Sequence, residues 1–197
     1  MFRVPVHIER AGANICGGSF WMKGIRIKNI EGFGASDFLH ARTLAVNLNL
    51  LSLLTSEFSV GQILLKDPFL WVEIDPQGRG NAAEFLSRAV YRFQKFALKK
   101  RNLLQSITAY ELEKFAIRRG TINVIDRRKE GRKWTLDSVS FSLARVLFPP
   151  DAQEALPVAV YLNATVRGSQ NGQILLLGRL NPFAPKKSFD ITVSAKD

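Results

Sequence analysis

The chain has 197 residues, of which 46% are hydrophobic, and its formal net charge is +11. This length and apolar content are typical of a folded domain and exclude a disordered chain. The charge favours a negatively charged partner, either nucleic acid or anionic lipid head groups. A single cysteine excludes an internal disulfide, and no apolar run of about 18 residues could span a bilayer as a helix.

The N-terminal residues do not form a signal peptide. They carry charges at Arg3, Glu9 and Arg10 and lack the apolar segment that such a peptide requires. If the protein is exported or anchored, the segment responsible is therefore expected outside this chain.

Alternating apolar and polar residues predict four strands in the first half of the chain. The phase of the alternation changes at Gly24 and at Gly61, and a β-bulge at each glycine would explain the change. Asp67-Pro68 is expected to separate the third strand from the fourth, because proline has no N–H to donate. The apolar sides of the second and fourth strands are formed by Val46, Leu48, Leu50, Leu70, Val72 and Ile74.

An amphipathic helix is predicted for residues 80–105, where apolar residues recur at spacings of three and four. Asn81 is the expected N-cap, with Glu84 three residues later as in a capping box. The helix also carries a basic stripe of Arg88, Arg92, Lys95 and Lys99. The stripe could face water, contact anionic head groups or bind nucleic acid. The helix phenylalanines lie on the apolar side, which argues against stacking with RNA bases.

The second half of the chain returns to strands. The charged residues 127–133 predict a hairpin turn, and Asn171-Gly172 is the dipeptide most typical of a tight hairpin. Two further strands present Val160, Leu162, Ile174 and Leu176 on one side. About nine or ten strands in series predict a mainly β fold, a long antiparallel sheet with one inserted amphipathic helix.

Residue types that carry catalysis or bind metals are scattered along the chain. The two histidines and the single cysteine have no recognisable metal-ligand spacing, so no metal and no cofactor is expected. Asp67, Asp75 and Asp126 stand where turn and strand-end residues are expected. The sequence therefore predicts no catalytic residues and no enzymatic activity.

Gly78, Gly80 and Ala83 match the spacing of a dinucleotide-binding fingerprint. Such a site needs a parallel βαβ unit and an acidic residue about 20 residues further on, where this chain is basic instead. A turn followed by a helix start is the simpler interpretation.

Two stretches of the sequence resemble AsmA-like proteins. The first reads GIRIKNIEGFG and then ARTLAVNLNLLSLLTSEFSVGQILLKDPFLWVEIDPQGRGN. Its residues at the family's expected positions are Gly32, Leu53, Leu54, Pro68, Asp75, Gly78 and Asn81. The second reads FAIRRGTINVIDRR, with Gly120 and Asp126 in register with a strand pair of the family. The resemblance covers most of the chain, and it implies that residues 1–197 form one AsmA-like β-groove domain.

This resemblance implies a bacterial envelope protein, located in the periplasm and associated with the inner membrane through an anchor that these residues lack. It implies a curved sheet that forms an open groove and binds phospholipid or another acyl-chain lipid. The expected role is phospholipid transport or outer-membrane homeostasis. One helix of about 20 residues is about 30 Å long and covers only part of such a sheet, which agrees with an apolar groove.

The ten apolar strand residues named above are the expected groove lining, and the basic stripe would contact an anionic membrane surface. The alternative is an assembly scaffold that binds other envelope proteins through the edges of the sheet. A basic nucleic-acid-binding protein is the third interpretation, although nucleic acid is not the expected partner.

Overall fold

Nine β-strands form one open sheet in which the order of the strands follows the chain. The computed structural model describes residues 4–54, 57–85, 87–88, 109–128, 131–148, 156–168, 171–181 and 188–196. The strands are β1 (Val6–Asn14), β2 (Ser19–Lys28), β3 (Asp37–Leu48), β4 (Glu57–Ile74), β5 (Ala109–Asp126), β6 (Arg132–Phe148), β7 (Val158–Arg167), β8 (Gly172–Asn181) and β9 (Ser188–Lys196). The mainly β prediction is confirmed, and β1 is a strand that the sequence patterns did not predict.

The prediction of a wholly antiparallel sheet is wrong at one pair. β4 and β5 run parallel, with Glu57 opposite Ala109 at one end and Ile74 opposite Asp126 at the other. All other neighbouring strands are antiparallel. A parallel pair needs a crossover of about a dozen residues or more, usually a helix. The sheet is therefore mixed, with two antiparallel blocks, β1–β4 and β5–β9, joined by one parallel pair.

The predicted helix begins near its expected position, and only its first residues are described. Residues 81–85 and 87–88 are helical, and the N–H of Glu84 donates to the carbonyl of Gly80. Gly80 is therefore the N-cap, and the predicted cap at Asn81 is wrong. The rest of the predicted 80–105 helix lies outside the described residues.

β4 is one strand of 18 residues, so the predicted break at Asp67-Pro68 is wrong. Pro68 lies opposite Ala41 of β3, and Asp67 has a left-handed φ of 49°. Proline is tolerated inside a sheet where the backbone already departs from regular pairing, and the conformation of Asp67 supplies that departure.

A deeply buried part of the sheet is a band of small residues across its middle. Ala41, Val139 and Ala164 are 0%, 2% and 2% exposed. Gly120 lies between Pro68 and Val139, and a Cβ at Gly120 would approach a side-chain carbon of each to 3.3 Å. Larger side chains at this band would force neighbouring strands out of register, because interiors are close-packed.

Candidate functional site

One face of the sheet, which we call the apolar face, carries three rows of apolar side chains. Residues directly opposite each other on paired strands share a face, so the pairing defines the rows. The first row is Phe20, Val46, Ile63, Phe115, Leu143 and Val160. The second is Met22, Leu44, Leu65, Ile117, Phe141, Leu162, Leu176 and Val193. The third is Ile27, Leu39, Leu70, Ile122, Leu136 and Val166.

All three rows lie on the same face, although the phase of the sequence changes between the second and the third. β7 contains no left-handed residue, so Leu162 and Val166 share a face by simple alternation. Phe141 lies opposite Leu162, and Leu136 lies opposite Val166. The alternation of apolar and polar residues along β6 therefore changes phase between Leu136 and Phe141. The apolar side chains before and after this change lie on the same face.

Four left-handed residues mark this change of phase, and we call them the left-handed row. Their φ angles are 62° at Gly24, 49° at Asp67, 55° at Arg119 and 53° at Ser138. They lie on β2, β4, β5 and β6, between the second and third apolar rows. An irregular residue inside a strand resets the alternation of the residues that follow. On these four strands the left-handed row thus keeps the apolar face continuous.

The two predicted bulges have different outcomes. Gly24 has the left-handed φ and lies at the change of phase, but the pairing of β2 with β1 and β3 keeps its register there. At Gly61 the register of β3 with β4 does shift, since Asn47 lies opposite Gln62 and Leu48 lies opposite Val60. The bulge predicted at Gly61 is therefore confirmed.

No second layer of described residues covers the apolar face. Every extensive contact between strands joins neighbours within the sheet. Side chains of the apolar face remain accessible, with Phe20 and Val193 42% and 61% exposed. Interior members of the rows are half-buried, and Val160 is 8% exposed. Accessible apolar surface without a covering layer is typical of a binding site for lipid or protein.

Nine of the ten predicted lining residues lie on the apolar face. They are Val46, Leu48, Leu70, Val72, Ile74, Val160, Leu162, Ile174 and Leu176, by pairing or by alternation with a paired residue. Leu50 does not, because it belongs to a 3-10 turn, Leu50–Leu54, after β3. That these residues contact lipid stays a prediction.

The sequence analysis missed the central part of the apolar face. Phe115, Ile117, Phe141 and Leu143 lie in its first and second rows, and the rings of Phe115 and Phe141 meet edge to face with centroids 6.2 Å apart. Their alternation was visible in the sequence, but only the pairing of β5 with β4 and β6 puts them beside the predicted residues.

Only Arg88 of the predicted basic stripe is described. Its guanidinium lies 3.6 Å from the carboxylate of Glu84, one helical turn earlier, which is an ordinary helical ion pair. Arg92, Lys95 and Lys99 lie outside the described residues, so contact of the stripe with a membrane surface stays a prediction.

The other face of the sheet, which we call the basic face, carries a row of cations. Arg10 lies opposite Lys23 on β1 and β2, and Lys66 lies opposite Arg118 on β4 and β5, with Thr43 of β3 between the two pairs. In the sequence these residues are separate polar positions of five strands. Their assembly into one row depends on the register alone.

The three carboxylates considered for catalysis each bind an arginine. The closest N–O distances are 2.6 Å for Asp67–Arg119, 2.7 Å for Asp75–Arg79 and 2.9 Å for Asp126–Arg128. The hydrogen bond from Arg119 is the largest influence on the pKa of Asp67 and lowers it. These pairs join strands or close turns, which is the structural role expected from their positions.

Glu73 is a carboxylate that the sequence analysis did not single out, and it is 1% exposed. It accepts hydrogen bonds from the N–H groups of Gly34 and Ala35, at 2.9 and 2.6 Å, and from Arg127 at 3.1 Å. Burial raises the pKa of Glu73, but these hydrogen bonds outweigh burial and hold the pKa below its ordinary value. Glu73 therefore fastens the loop after β2 to the end of β4.

Asn81 completes the same network from the helix start. Its Oδ1 accepts from the N–H of Glu73 at 2.9 Å, and its Nδ2 donates to the carbonyl of Trp71 at 2.8 Å and to Asn29 at 3.2 Å. The pairing of β3 with β4 ends at Leu39, so the Asn81 amide takes the place of a strand neighbour for the last residues of β4.

The glycine fingerprint does meet one condition for a dinucleotide site, because β4 and β5 are parallel and a helix begins between them. The loop that precedes the helix is closed on itself, however. The N–H of Asp75 donates to the carbonyl of Arg79, and the carboxylate of Asp75 accepts from the N–H of Arg79 at 2.8 Å. A carboxylate there would repel a pyrophosphate, so a turn and a helix start remain the better interpretation.

Within the described ranges, no helix has the length and apolar character needed to cross a membrane. The same ranges contain no group of three or more side chains that could hold a metal ion. No protein-family model matches the chain, and no curated protein is significantly similar to it. A role for this chain therefore depends on the two faces of the sheet and on the chemistry of their residues.

Proposed function

We propose that the protein is a non-enzymatic lipid-binding module of the bacterial cell envelope. The observation that carries the proposal is the apolar face, whose rows extend across the sheet without a covering layer of described residues. An antiparallel or mixed sheet needs a second layer over its apolar face, and acyl chains can supply that layer. Each methylene moved from water to such a surface contributes about 0.8 kcal/mol.

In the proposed arrangement the sheet curves about the left-handed row, and the apolar face lines an open groove. Irregular residues aligned across neighbouring strands are a known means of bending a sheet. The groove would hold the acyl chains of a phospholipid, and its lining would include Val46, Leu70, Val72, Ile74, Val160, Leu162, Ile174 and Leu176.

The resemblance to AsmA-like proteins supports a periplasmic location at the inner membrane and a role in phospholipid transport or outer-membrane homeostasis. The formal net charge of +11 supports contact with the anionic surface of a membrane. The periplasmic location and the contact with an anionic membrane surface are both parts of the proposal.

Two adjacent leucines of β8 allow a matched test. Leu176 lies on the apolar face opposite Leu162, whereas Leu175 lies opposite Asn163 on the basic face, and both side chains are half-buried. We expect the purified full chain to carry phospholipid that mass spectrometry of an organic extract detects. Leu176→Gln should weaken the binding of a fluorescent fatty acid by about tenfold, and Leu175→Gln should leave it unchanged.

The lipid proposal fails if the wild-type chain carries no lipid and binds no fluorescent fatty acid. It also fails if both glutamine variants, shown to be folded by circular dichroism, bind the probe as the wild type does. Growth of a bacterium under outer-membrane stress, with and without the gene, would test the envelope role independently.

A second candidate function is an envelope assembly scaffold. β1 and β9 are the two edges of the described sheet, and Val6 on β1 and Phe189 on β9 are 57% and 70% exposed. Exposed apolar edge strands are suited to pairing with a strand of another protein. A photo-crosslinker placed at either residue would then capture proteins, and lipid extracts of the purified chain would be empty.

A further inference from the structure

The basic face contains a depression of about 440 Å³ over β4 to β7. Its floor is Ala116, which is 4% exposed. Lys66, Lys114 and Arg118 stand around this floor, and Ser142 of β6 and Tyr161 of β7 border it. The depression lies on the opposite side of the sheet from the apolar face, so its chemistry is independent of the proposed acyl-chain site.

The shape of the depression follows from one small residue among long ones. Ala116 alternates with Lys114 and Arg118 on β5, and Ser142 lies directly opposite Ala116. Tyr161 of β7 lies opposite Ser142. A methyl side chain at Ala116 leaves space above the strand, and the long lysine and arginine side chains can reach over it with their charged ends.

The described carboxylates balance only part of the charge of the depression, through the electrostatic attraction between Lys66 and Asp67. None of Lys66, Lys114 and Arg118 forms an ion pair with a carboxylate in the part of the chain that the structure describes. Lys66 and Arg118 lie directly opposite each other on paired strands, and like charges in this position destabilise a sheet. Arg119, at the rim, is already bound by Asp67, and no carboxylate lines the depression.

We propose that this depression binds a phosphate group. A phosphate carries up to two negative charges and several acceptor oxygens, which match the three cations and the hydroxyl donors of Ser142 and Tyr161. Arginine and lysine are the side chains that proteins use for such groups. The phosphate belongs to either a soluble phosphorylated compound or a phospholipid head group at a membrane surface, and the test separates these two sources.

Two triple variants carry the test. The first, Lys66→Gln with Lys114→Gln and Arg118→Gln, removes the three cations of the depression. The second, Arg132→Gln with Lys133→Gln and Lys196→Gln, removes three exposed cations elsewhere in the sheet. Both lower the net charge equally, so any difference between them reports on the depression rather than on overall charge. We expect the first variant to fold with at least wild-type stability, because it relieves repulsion between like charges.

Pyrophosphate, as the soluble probe, is titrated into the isotope-labelled full chain while amide NMR shifts are recorded. Vesicles of phosphatidylcholine, with and without phosphatidic acid, are the membrane probe in a co-sedimentation assay. We expect one of these two phosphate sources to bind, with shifts centred on Ala116 and Ser142 for the soluble probe. The first triple variant should bind it about tenfold more weakly, and the second should bind within about twofold of the wild type.

A soluble source is identified by pyrophosphate binding without vesicle binding, and a head-group source by vesicle binding that requires phosphatidic acid. The proposal is overturned if neither probe binds, or if the two triple variants lose binding equally. Acyl-chain binding by Leu176 and its neighbours is measured separately, so failure here leaves the proposed function standing and the reverse is equally true.

Discussion

Asp67 and Arg119 occupy neighbouring positions on the parallel strands β4 and β5, and both have left-handed backbones, with φ angles of 49° and 55°. Their side chains form two hydrogen bonds, of 2.6 and 3.0 Å. Arg42 of β3 lies 3.2 Å from the same carboxylate. The ion pairs of Asp67 with Arg119 and Arg42 thus join three strands. They lie at the position where the alternation of apolar and polar residues changes phase.

The left-handed backbone at Asp67 should matter more for stability than its charge. Asn tolerates this conformation as Asp does, whereas a β-branched residue does not. Because the arginine partners are largely exposed, we expect Asp67→Asn to cost under about 1 kcal/mol of unfolding free energy. Asp67→Val should cost about 2 kcal/mol more, from backbone strain. Urea unfolding of both variants measures the difference, and equal losses would mean that the ion pair is the larger contribution.

Glu73 should be the most sensitive single carboxylate. Replacing it by Gln removes one of the two acceptor oxygens that serve Gly34, Ala35 and Arg127, so a part-buried N–H loses its partner. We expect Glu73→Gln to lower the unfolding free energy by about 2 kcal/mol. Glu31→Gln, an exposed change in the same loop, is the control and should be neutral. A neutral effect of Glu73→Gln would contradict the role of this carboxylate.

Acid should destabilise the protein partly through protonation of the Glu73 carboxylate. The pKa of Glu73 is held below its ordinary value of 4.5, and that of Asp67 below 3.8. A lowered pKa in the folded state stabilises the protein above the unfolded-state pKa, and this stabilisation is lost as the pH falls through the folded-state pKa. Unfolding free energy measured against pH should therefore decrease below about 4.5, and less steeply in Glu73→Gln than in the wild type.

Asn81 should stabilise the end of β4 rather than the helix. Asn81→Ala removes the acceptor of the Glu73 N–H and the donors to Trp71 and Asn29. We expect a loss of about 3 kcal/mol and faster hydrogen exchange at the Glu73 amide. An N-cap role predicts a different pattern, in which exchange accelerates in the first turn of the helix and the Glu73 amide stays protected.

The alternation of apolar residues predicted most of the strands and the position of two irregularities. Ile25 and Met22 have opposite phases around Gly24, and the left-handed φ of 62° occurs at that glycine. The apolar alternation also changes phase around Asp67, but Pro68 was interpreted as a strand break. A proline beside an irregular residue is compatible with a continuous strand, and the sequence alone does not separate these two cases.

The parallel pair could have been predicted from the sequence. A helix between two strands is typical of a parallel connection, and the sequence predicts a helix over residues 80–105, between two predicted strands. The basic depression could not have been predicted from the sequence, because Lys66 and Arg118 belong to strands that are far apart in the chain. Their side chains become neighbours only through the register of β4 and β5, which the whole sheet determines.

The single parallel pair also predicts the order of folding. Within β1–β4 and within β5–β9, every strand pairs with the next one along the chain, so each block can form by local hairpin closure. Joining β4 to β5 requires closure of the long segment 75–108, which costs more conformational entropy and pairs residues distant in sequence. We expect hydrogen-exchange pulse labelling during refolding to protect amides inside each block first and the amides that join β4 to β5 last.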